Sequence, residues 1–182
     1  MTAKRIMVIR HAEKPSADRS VRGVNVAGVE DPNSLSVRGW QRAGALIAFF
    51  GAPQGAQQPC ISRPAFLFAP AATPQAPSVR SEQTLAPLAA MLGLSVATPF
   101  RQGEEKALAL ELHRVPGTAL VAWEHKTIAE LARELIGRDE DTPQAWPDDR
   151  FDMVWVFEGE EGRLRFSQVP QLLMDGDSSR TL

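Results

Sequence analysis

The chain has 182 residues, of which 43% are hydrophobic and 23% are charged, a composition typical of a soluble protein with one globular domain. Its formal net charge of −2 argues against a nucleic-acid partner. No apolar run approaches the roughly 18 residues of a membrane span, so no membrane partner is expected. The single cysteine, Cys60, excludes an internal disulfide and a cysteine-based zinc site.

The first apolar run, Ile6 to Ile9, follows two basic residues, Lys4 and Arg5, and ends at Arg10. This run is too short for the core of a signal peptide, so we expect a cytoplasmic protein. Continuous apolar runs of this kind are typical of strands that are buried on both faces. Further runs of strand length lie at 65–69, 118–123 and 153–157.

Stretches with helical periodicity separate these apolar runs. They lie at 36–50, 81–92, 104–114 and 126–137. Strands that alternate with helices predict an α/β domain with helices on both faces of one sheet. A last run, 164–169, follows a turn around Gly159 to Gly162 and predicts a hairpin. We expect a single domain over 1–174 and a flexible C-terminal tail over 175–182.

Charged residues stand where three of these strands give way to helices. Arg10 and His11 end the first run, Arg80 opens the helix after the second, and His125 follows the third. In an open α/β sheet these positions meet at the carboxyl edge, where such folds bind ligands. Arginine binds two phosphate oxygens at once in bidentate geometry, and it stays charged at any working pH. The pattern therefore predicts a phosphate site at this edge.

A helix start close to His125 would add backbone N–H groups to the same edge. Thr127 and Glu130 fit a capping box ahead of Ile128, which predicts that the helix begins within two residues of His125. The free N–H groups at a helix start bind anions. This feature strengthens the prediction of a phosphate site.

Four motifs resemble, in order and spacing, those of the histidine phosphatase superfamily, which includes the cofactor-dependent phosphoglycerate mutases. They are "RHAE" at 10–13, "LSVRGWQRA" at 35–43, "RSEQT" at 80–84 and "EH" at 124–125. The resemblance covers most of the chain. It implies a three-layer α/β/α sandwich with a mostly parallel central sheet, the phosphoglycerate mutase-like fold.

The resemblance also implies a chemistry, namely a covalent phosphohistidine on His11 and a phosphate pocket formed by Arg10, Arg80 and His125. A neutral imidazole can attack phosphorus, which splits the hydrolysis of a phosphomonoester into two easier steps. Positive neighbours disfavour protonation of His11 and stabilise the oxygens of the transferring group. We therefore expect no metal and no cofactor.

The leaving group needs a proton, and in the superfamily an acidic side chain supplies it. The candidates are Glu104 and Glu105, in the loop that follows the "RSEQT" helix and the next strand, and Glu124 beside His125. The interpretation leans slightly to Glu104. Glu104 and Glu105 could instead only complement the dipole of the helix that follows them.

The residues after His11 have two interpretations. Glu13 and Lys14 either line the pocket and bind substrate or only solvate the loop. A metal-dependent hydrolase with His11, Glu13 and His125 as ligands is a less favoured alternative, because Arg10 and Arg80 would repel the metal.

The substrate class also has alternatives. It is either a phosphorylated small molecule or a phosphoprotein, in particular a phosphohistidine protein. The loops at 16–34 and 51–63 are short, so water should reach phosphorylated His11, which favours a phosphatase over a mutase. A phosphate-binding module without turnover is a further alternative.

Overall fold

The computed structural model describes residues 4–52, 58–137, 142–160 and 163–182. The strands are β1 (Lys4–Arg10), β2 (Phe66–Phe68), β3 (Val96–Ala97), β4 (Thr118–Trp123), β5 (Met153–Glu160) and β6 (Arg163–Pro170). The helices are α1 (Val37–Gly51), α2 (Arg80–Leu92), α3 (Glu105–Arg114) and α4 (His125–Ile136). Among the described residues, five strands and the four helices lie within a few residues of their predicted ranges, and β3 is the strand for which no range was predicted.

The six strands form one sheet in the order β3-β2-β4-β1-β5-β6. The four strands from β3 to β1 are parallel to their neighbours, whereas β5 is antiparallel to both β1 and β6. The central sheet is therefore mostly parallel, with β5 and β6 as the predicted hairpin. The predicted turn of that hairpin includes residues 161–162, which lie outside the described residues, as do residues 53–57 of the loop predicted at 51–63.

Helices cover both faces of the sheet, which gives three layers. Alternate residues of β1 serve the two cores: Ile6 and Val8 pack with α3 and α4, whereas Met7 and Ile9 pack with α1 and α2. Both cores are fully buried, as the continuous apolar run predicted. No helix among the described residues is long and apolar enough to cross a membrane.

Helix α4 begins at His125, within the predicted range, but the predicted capping box is wrong. The cap is Glu124, whose carboxylate accepts a hydrogen bond from the backbone N–H of Lys126 at 3.0 Å. Thr127 lies inside the first turn and donates its hydroxyl to the carbonyl of Glu124 at 3.5 Å. The helix starts earlier because a carboxylate directly before it already satisfies a free N–H group.

The C-terminal segment, which we expected to be a flexible tail, is bonded to the domain at several points. The side chain of Asp177 is almost fully buried against Arg42. The N–H of Ser178 donates to Asp152 at 2.6 Å, and Leu182 exchanges two hydrogen bonds with Gln168. These contacts hold residues 177–182 against the domain. The flexibility of the tail stays a prediction.

Candidate active site

His11 lies directly after β1 and is only 4% exposed. Its backbone N–H donates to the carbonyl of Trp123 at 3.1 Å, which ties the residue to the end of β4. Its ring Nδ1 lies 2.7 Å from the carbonyl oxygen of Ala12. Because a carbonyl only accepts, Nδ1 must carry the proton of this hydrogen bond. Nε2 is thereby left with its lone pair, which is what a nucleophilic histidine requires.

The electrostatics of the site keep His11 neutral. Burial lowers the pKa of His11 to about 3, and the positive charges of Arg10 and Arg80 and the ring of His125 act in the same direction. Only the hydrogen bond to Ala12 opposes them. At neutral pH the imidazole is therefore unprotonated, as the sequence analysis expected.

Arg10 is 1% exposed, and one end of its guanidinium is fixed by backbone alone. Its Nη1 donates to the carbonyls of Pro147 at 3.2 Å, Asp148 at 2.7 Å and Arg150 at 3.1 Å. The ring of Phe151 packs against it, 3.9 Å from Cζ to the ring centroid. Nε and Nη2 find no partner among the described residues. These two nitrogens are buried donors that the described residues leave unpaired, so the positive charge of Arg10 is incompletely compensated.

Arg80 is the first residue of α2 and is half-buried. Its Nη2 donates to the carbonyl of Pro32 at 2.6 Å and its Nε to that of Ser34 at 3.3 Å. Burial lowers the pKa of Arg80, and the carboxylate of Asp31 partly offsets this effect. The loop before α1 thus sets the direction of this side chain.

His125 is 4% exposed, and its ring centroid lies 6.4 Å from that of His11. Its Nε2 is hydrogen-bonded to the carboxylate of Asp148, and its Nδ1 lies 3.1 Å from Oε1 of Glu124. Burial and then Arg10 lower the pKa of His125, while Glu124 and Asp148 raise it. The two histidines predicted at the sheet edge are therefore neighbours.

A cavity of about 280 Å³ opens at this edge. His11, Arg80 and His125 line it together with Lys14 and Glu124. Gln102, Lys126, Pro70, Ser78 and Ser81 complete its wall. Arg10 is not in this wall, and its charge acts on the two histidines from within the protein. The cavity is small, polar and rich in cations, which suits a phosphate group.

The two longer motifs brace the loop that carries His11. The hydroxyl of Thr84 accepts the N–H of Ala12 at 2.8 Å, and Gln83 holds the start of α1 through the N–H of Leu35 at 2.8 Å. Ser36 donates its hydroxyl to the carbonyl of Glu13 at 3.0 Å. A Cβ at Gly39 would collide with that same carbonyl, so only glycine permits this approach.

Glu13, predicted to bind substrate or to solvate its loop, is paired with two arginines. Its carboxylate lies 2.8 Å from Nη2 of Arg42 and 3.4 Å from Nε of Arg38, and it is not in the cavity wall. The alternative metal site is not assembled either. Within the part of the chain that the structure describes, no three His, Cys, Asp or Glu side chains are grouped to hold a metal. Lys14 does line the cavity.

The three candidate proton donors have different surroundings. Glu104 is exposed, and its carboxylate accepts the N–H of Arg101 at 2.8 Å, outside the cavity wall. Glu105 is fully buried and accepts the indole N–H of Trp123 at 2.9 Å. Burial raises the pKa of Glu105, but its hydrogen bonds lower it further, below the usual value. Among the described residues of the wall, Glu124 is the carboxylate.

Sequence reasoning missed the segment 147–151, which orients both Arg10 and His125. Its carbonyls hold Arg10, its Phe151 ring packs on that guanidinium, and its Asp148 bonds His125. The run "PDDRF" contains two carboxylates and an aromatic residue shortly before β5. This composition was the signal available in the sequence, although the run does not belong to any of the four family-like motifs.

Solved structures match the chain over nearly its whole length. Mycobacterial glucosyl-3-phosphoglycerate phosphatase is 14% identical, with 92% of this chain and 98% of that one covered and a TM-score of 0.55. The proposed phosphohistidine phosphatase SixA of Agrobacterium tumefaciens is 19% identical, covering 90% and 96%, with a TM-score of 0.53. A proposed alpha-ribazole-5'-phosphate phosphatase of Escherichia coli is 11% identical, covering 93% and 97%, with a TM-score of 0.60.

No protein-family model and no curated protein sequence matches the chain. At these identities the likeness is one of fold. The chain has the three-layer α/β/α fold of the histidine phosphatase superfamily, the phosphoglycerate mutase-like fold, as its motifs predicted. The solved structures named above carry phosphatase names.

Proposed function

We propose that the protein is a metal-independent phosphatase that hydrolyses phosphomonoesters through a phosphohistidine on His11. The observation that carries this proposal is the fixed tautomer of His11. Its Nδ1 proton is held by the carbonyl of Ala12, so that Nε2 is a free nucleophile beside a cationic cavity. The phosphatase names of its structural neighbours support the same reading.

In the first step, Nε2 of His11 attacks phosphorus, a P–N bond forms and the ester P–O bond breaks. The departing oxygen takes a proton from the carboxyl group of Glu124. In the second step, water attacks the phosphohistidine, the P–N bond breaks, and Glu124 takes the proton of the water. Arg80 lines the cavity and stabilises the phosphoryl oxygens, which carry the developing negative charge, and the positive charge of Arg10 acts on them from within the protein.

Glu124 is assigned as the proton donor instead of Glu104 because of where its carboxylate lies. It lines the cavity and is 3.1 Å from Nδ1 of His125, whereas Glu104 and Glu105 are engaged elsewhere. A general acid must reach the atom that it protonates, so position is considered before acidity.

The proposed activity is tested with phenyl phosphate in the presence of EDTA. We expect turnover to survive chelation and to vanish in His11→Ala. A matched control is His113→Ala, which removes a histidine from α3, away from the cavity wall. Loss of wild-type activity on chelation, restored by a divalent metal, would overturn the proposal.

The proton donor is tested by comparing an alkyl with an aryl phosphate. An aryl oxide leaves largely unaided, whereas an alkoxide needs a proton in the transition state. Glu124→Gln should therefore lower alkyl turnover by about 10²-fold or more and aryl turnover much less. Glu104→Gln and Glu105→Gln should leave this ratio unchanged. A selective loss of alkyl turnover in Glu104→Gln would instead assign the proton donor to Glu104, in the loop before α3.

If the wild type turns over no alkyl phosphate, the assignment of a general acid is wrong. The substrate is then an activated phosphoryl group, such as the phosphohistidine of another protein, which needs no proton from the enzyme to leave. A phosphohistidine protein is included in the same assay for this reason.

A further inference from the structure

A second and larger cavity, of about 630 Å³, adjoins the active-site cavity. The two are neighbours because Lys14 and Arg80 line both. The remaining wall comes from residues 15–32, in the connection between β1 and α1. We call this second cavity the outer groove. Its volume lies in the range of about 300–1,000 Å³ that is typical of small-molecule sites.

The wall of the outer groove is a folded part of the protein. Gly23 pairs with Ser36 and Val24 with Glu30 in short antiparallel bridges. The indole N–H of Trp40 in α1 donates to the carbonyl of Val24 at 2.8 Å. These bonds hold the segment against the helix whose motif braces the loop of His11. The groove is therefore built on the same scaffold as the active site.

The charges of the outer groove are mostly positive. Its wall contains Lys14, Arg19, Arg22 and Arg80, and Glu30 is the carboxylate among its lining residues. Glu30 is already paired, at 3.0 Å with Arg19 and 2.8 Å with Arg22. A second anion at these guanidinium groups would meet an excess of positive charge. The groove thus favours an anionic occupant.

The outer groove also has an apolar part. Pro15, Ala17, Val21 and Pro32 lie in its wall together with the cations. A ligand that suits this wall combines a carbon skeleton with a charged group. Inorganic phosphate alone would fill neither the volume nor the apolar surface.

We propose that the outer groove holds the leaving group of the substrate, and that this leaving group carries a second anionic group, a carboxylate or a phosphate, on a small carbon skeleton. The proposal rests on the proposed function, because it places the phosphoryl group at His11. The leaving oxygen then points to the junction formed by Lys14 and Arg80. Arg19 and Arg22 select for the second anion.

The test uses phenylphosphonate and 4-carboxyphenylphosphonate. They resemble phenyl phosphate and its 4-carboxy derivative but cannot be hydrolysed. Calorimetry should show that the carboxylate tightens binding to the wild type by about tenfold at low salt, and less as salt is added. In the double variant Arg19→Gln/Arg22→Gln this advantage should fall to about threefold or less, because exposed charge pairs contribute only fractions of a kcal/mol each.

The control variant is Arg133→Gln, which removes an exposed arginine from the last turn of α4. It changes the net charge in the same sense and should keep the wild-type ratio of the two dissociation constants. A ratio near one in the wild type, or an equal ratio in the wild type and the double variant, would overturn the assignment of the groove.

The two proposals fail separately. Turnover of phenyl phosphate reports on the chemistry at His11 and does not need the outer groove, whereas the ratio of the two phosphonate dissociation constants needs no chemistry. If the carboxylate tightens phosphonate binding as expected but no phosphate is hydrolysed, the proposal for the outer groove stands and the proposed phosphatase activity is overturned. If phenyl phosphate is hydrolysed but the carboxylate does not tighten phosphonate binding, the proposed phosphatase activity stands and the proposal for the outer groove is overturned.

Discussion

Among the described residues, two arginines are almost completely buried: Arg10, the last residue of β1, and Arg42 in α1, at 1% and 3% exposure. They differ in what surrounds them. Arg42 is enclosed by carboxylates, with Glu13 at 2.8 Å and Asp177 at 2.7 Å, and by the amide of Gln171 at 3.0 Å. Arg10 has only neutral carbonyls at one end and no partner among the described residues at the other.

The pKa values of the two side chains move in opposite directions for this reason. Burial lowers the pKa of both. At Arg42, hydrogen bonds with Asp177 and Glu13 outweigh burial and raise the pKa above its usual value. At Arg10, distant carboxylates do not outweigh it, and the pKa falls to about 10. A buried arginine is thus not in itself a sign of function; an unsatisfied one is, because a bound anion would supply what its surroundings lack.

The largest effect that separates the two arginines is on stability. Arg42→Met leaves Asp177 without its cation and Glu13 with only the more distant Arg38, so the free energy of unfolding should fall by about 3–5 kcal/mol. Chemical denaturation measures this. The triple variant Arg42→Met/Glu13→Gln/Asp177→Asn removes all three charges and should recover much of the loss. An unchanged stability in Arg42→Met would show that the network contributes little.

Arg10→Met should act mainly on activity. Removal of this buried positive charge behind the cavity should lower kcat/KM for phenyl phosphate by about 10²–10³-fold, the range that is usual for the loss of one stabilising donor. The unfolding free energy should fall by no more than about 2 kcal/mol, since the cost of burying a charge disappears while three carbonyls lose a donor. Activity within threefold of the wild type would refute a role of the Arg10 charge in catalysis.

The strands could be predicted because burial on both faces leaves a continuous apolar run, which β1, β4 and β5 show clearly. Strand β3 is only two residues long and bonds to β2 alone, so it leaves no pattern of its own. The positions of Arg10, His11 and His125 followed from strand ends and motifs. In each of these cases the signal is local in the sequence.

The partners of those residues could not be predicted in the same way. Segment 147–151 holds Arg10 through backbone carbonyls, which every residue possesses. Asp177 lies 135 residues from Arg42, the residue that it pairs with. The preference for Glu104 as the proton donor relied on the position of its loop. The choice between Glu104 and Glu124 depends on the direction in which each side chain points. Contacts through backbone groups and across long separations leave no periodic pattern in a single sequence.

A smaller effect concerns acid stability and follows from the lowered pKa of His11. The unfolded chain takes up a proton at His11 below about pH 6.5, whereas the folded protein does so only near pH 3. Between these values the unfolded state binds more protons, so stability falls as the pH is lowered. From pH 6.5 to 4.5 the wild type should lose roughly 2 kcal/mol more than His11→Gln. Parallel losses in both proteins, measured by denaturation, would contradict a buried neutral imidazole.

The most direct test of the central claim is the stereochemical course at phosphorus. A phosphorothioate monoester made chiral with oxygen isotopes is hydrolysed, and the configuration of the released thiophosphate is determined. Transfer to His11 and then to water are two in-line displacements, each of which inverts phosphorus, so the account predicts net retention of configuration. Net inversion would mean a single direct attack by water, and would contradict a phosphohistidine on His11.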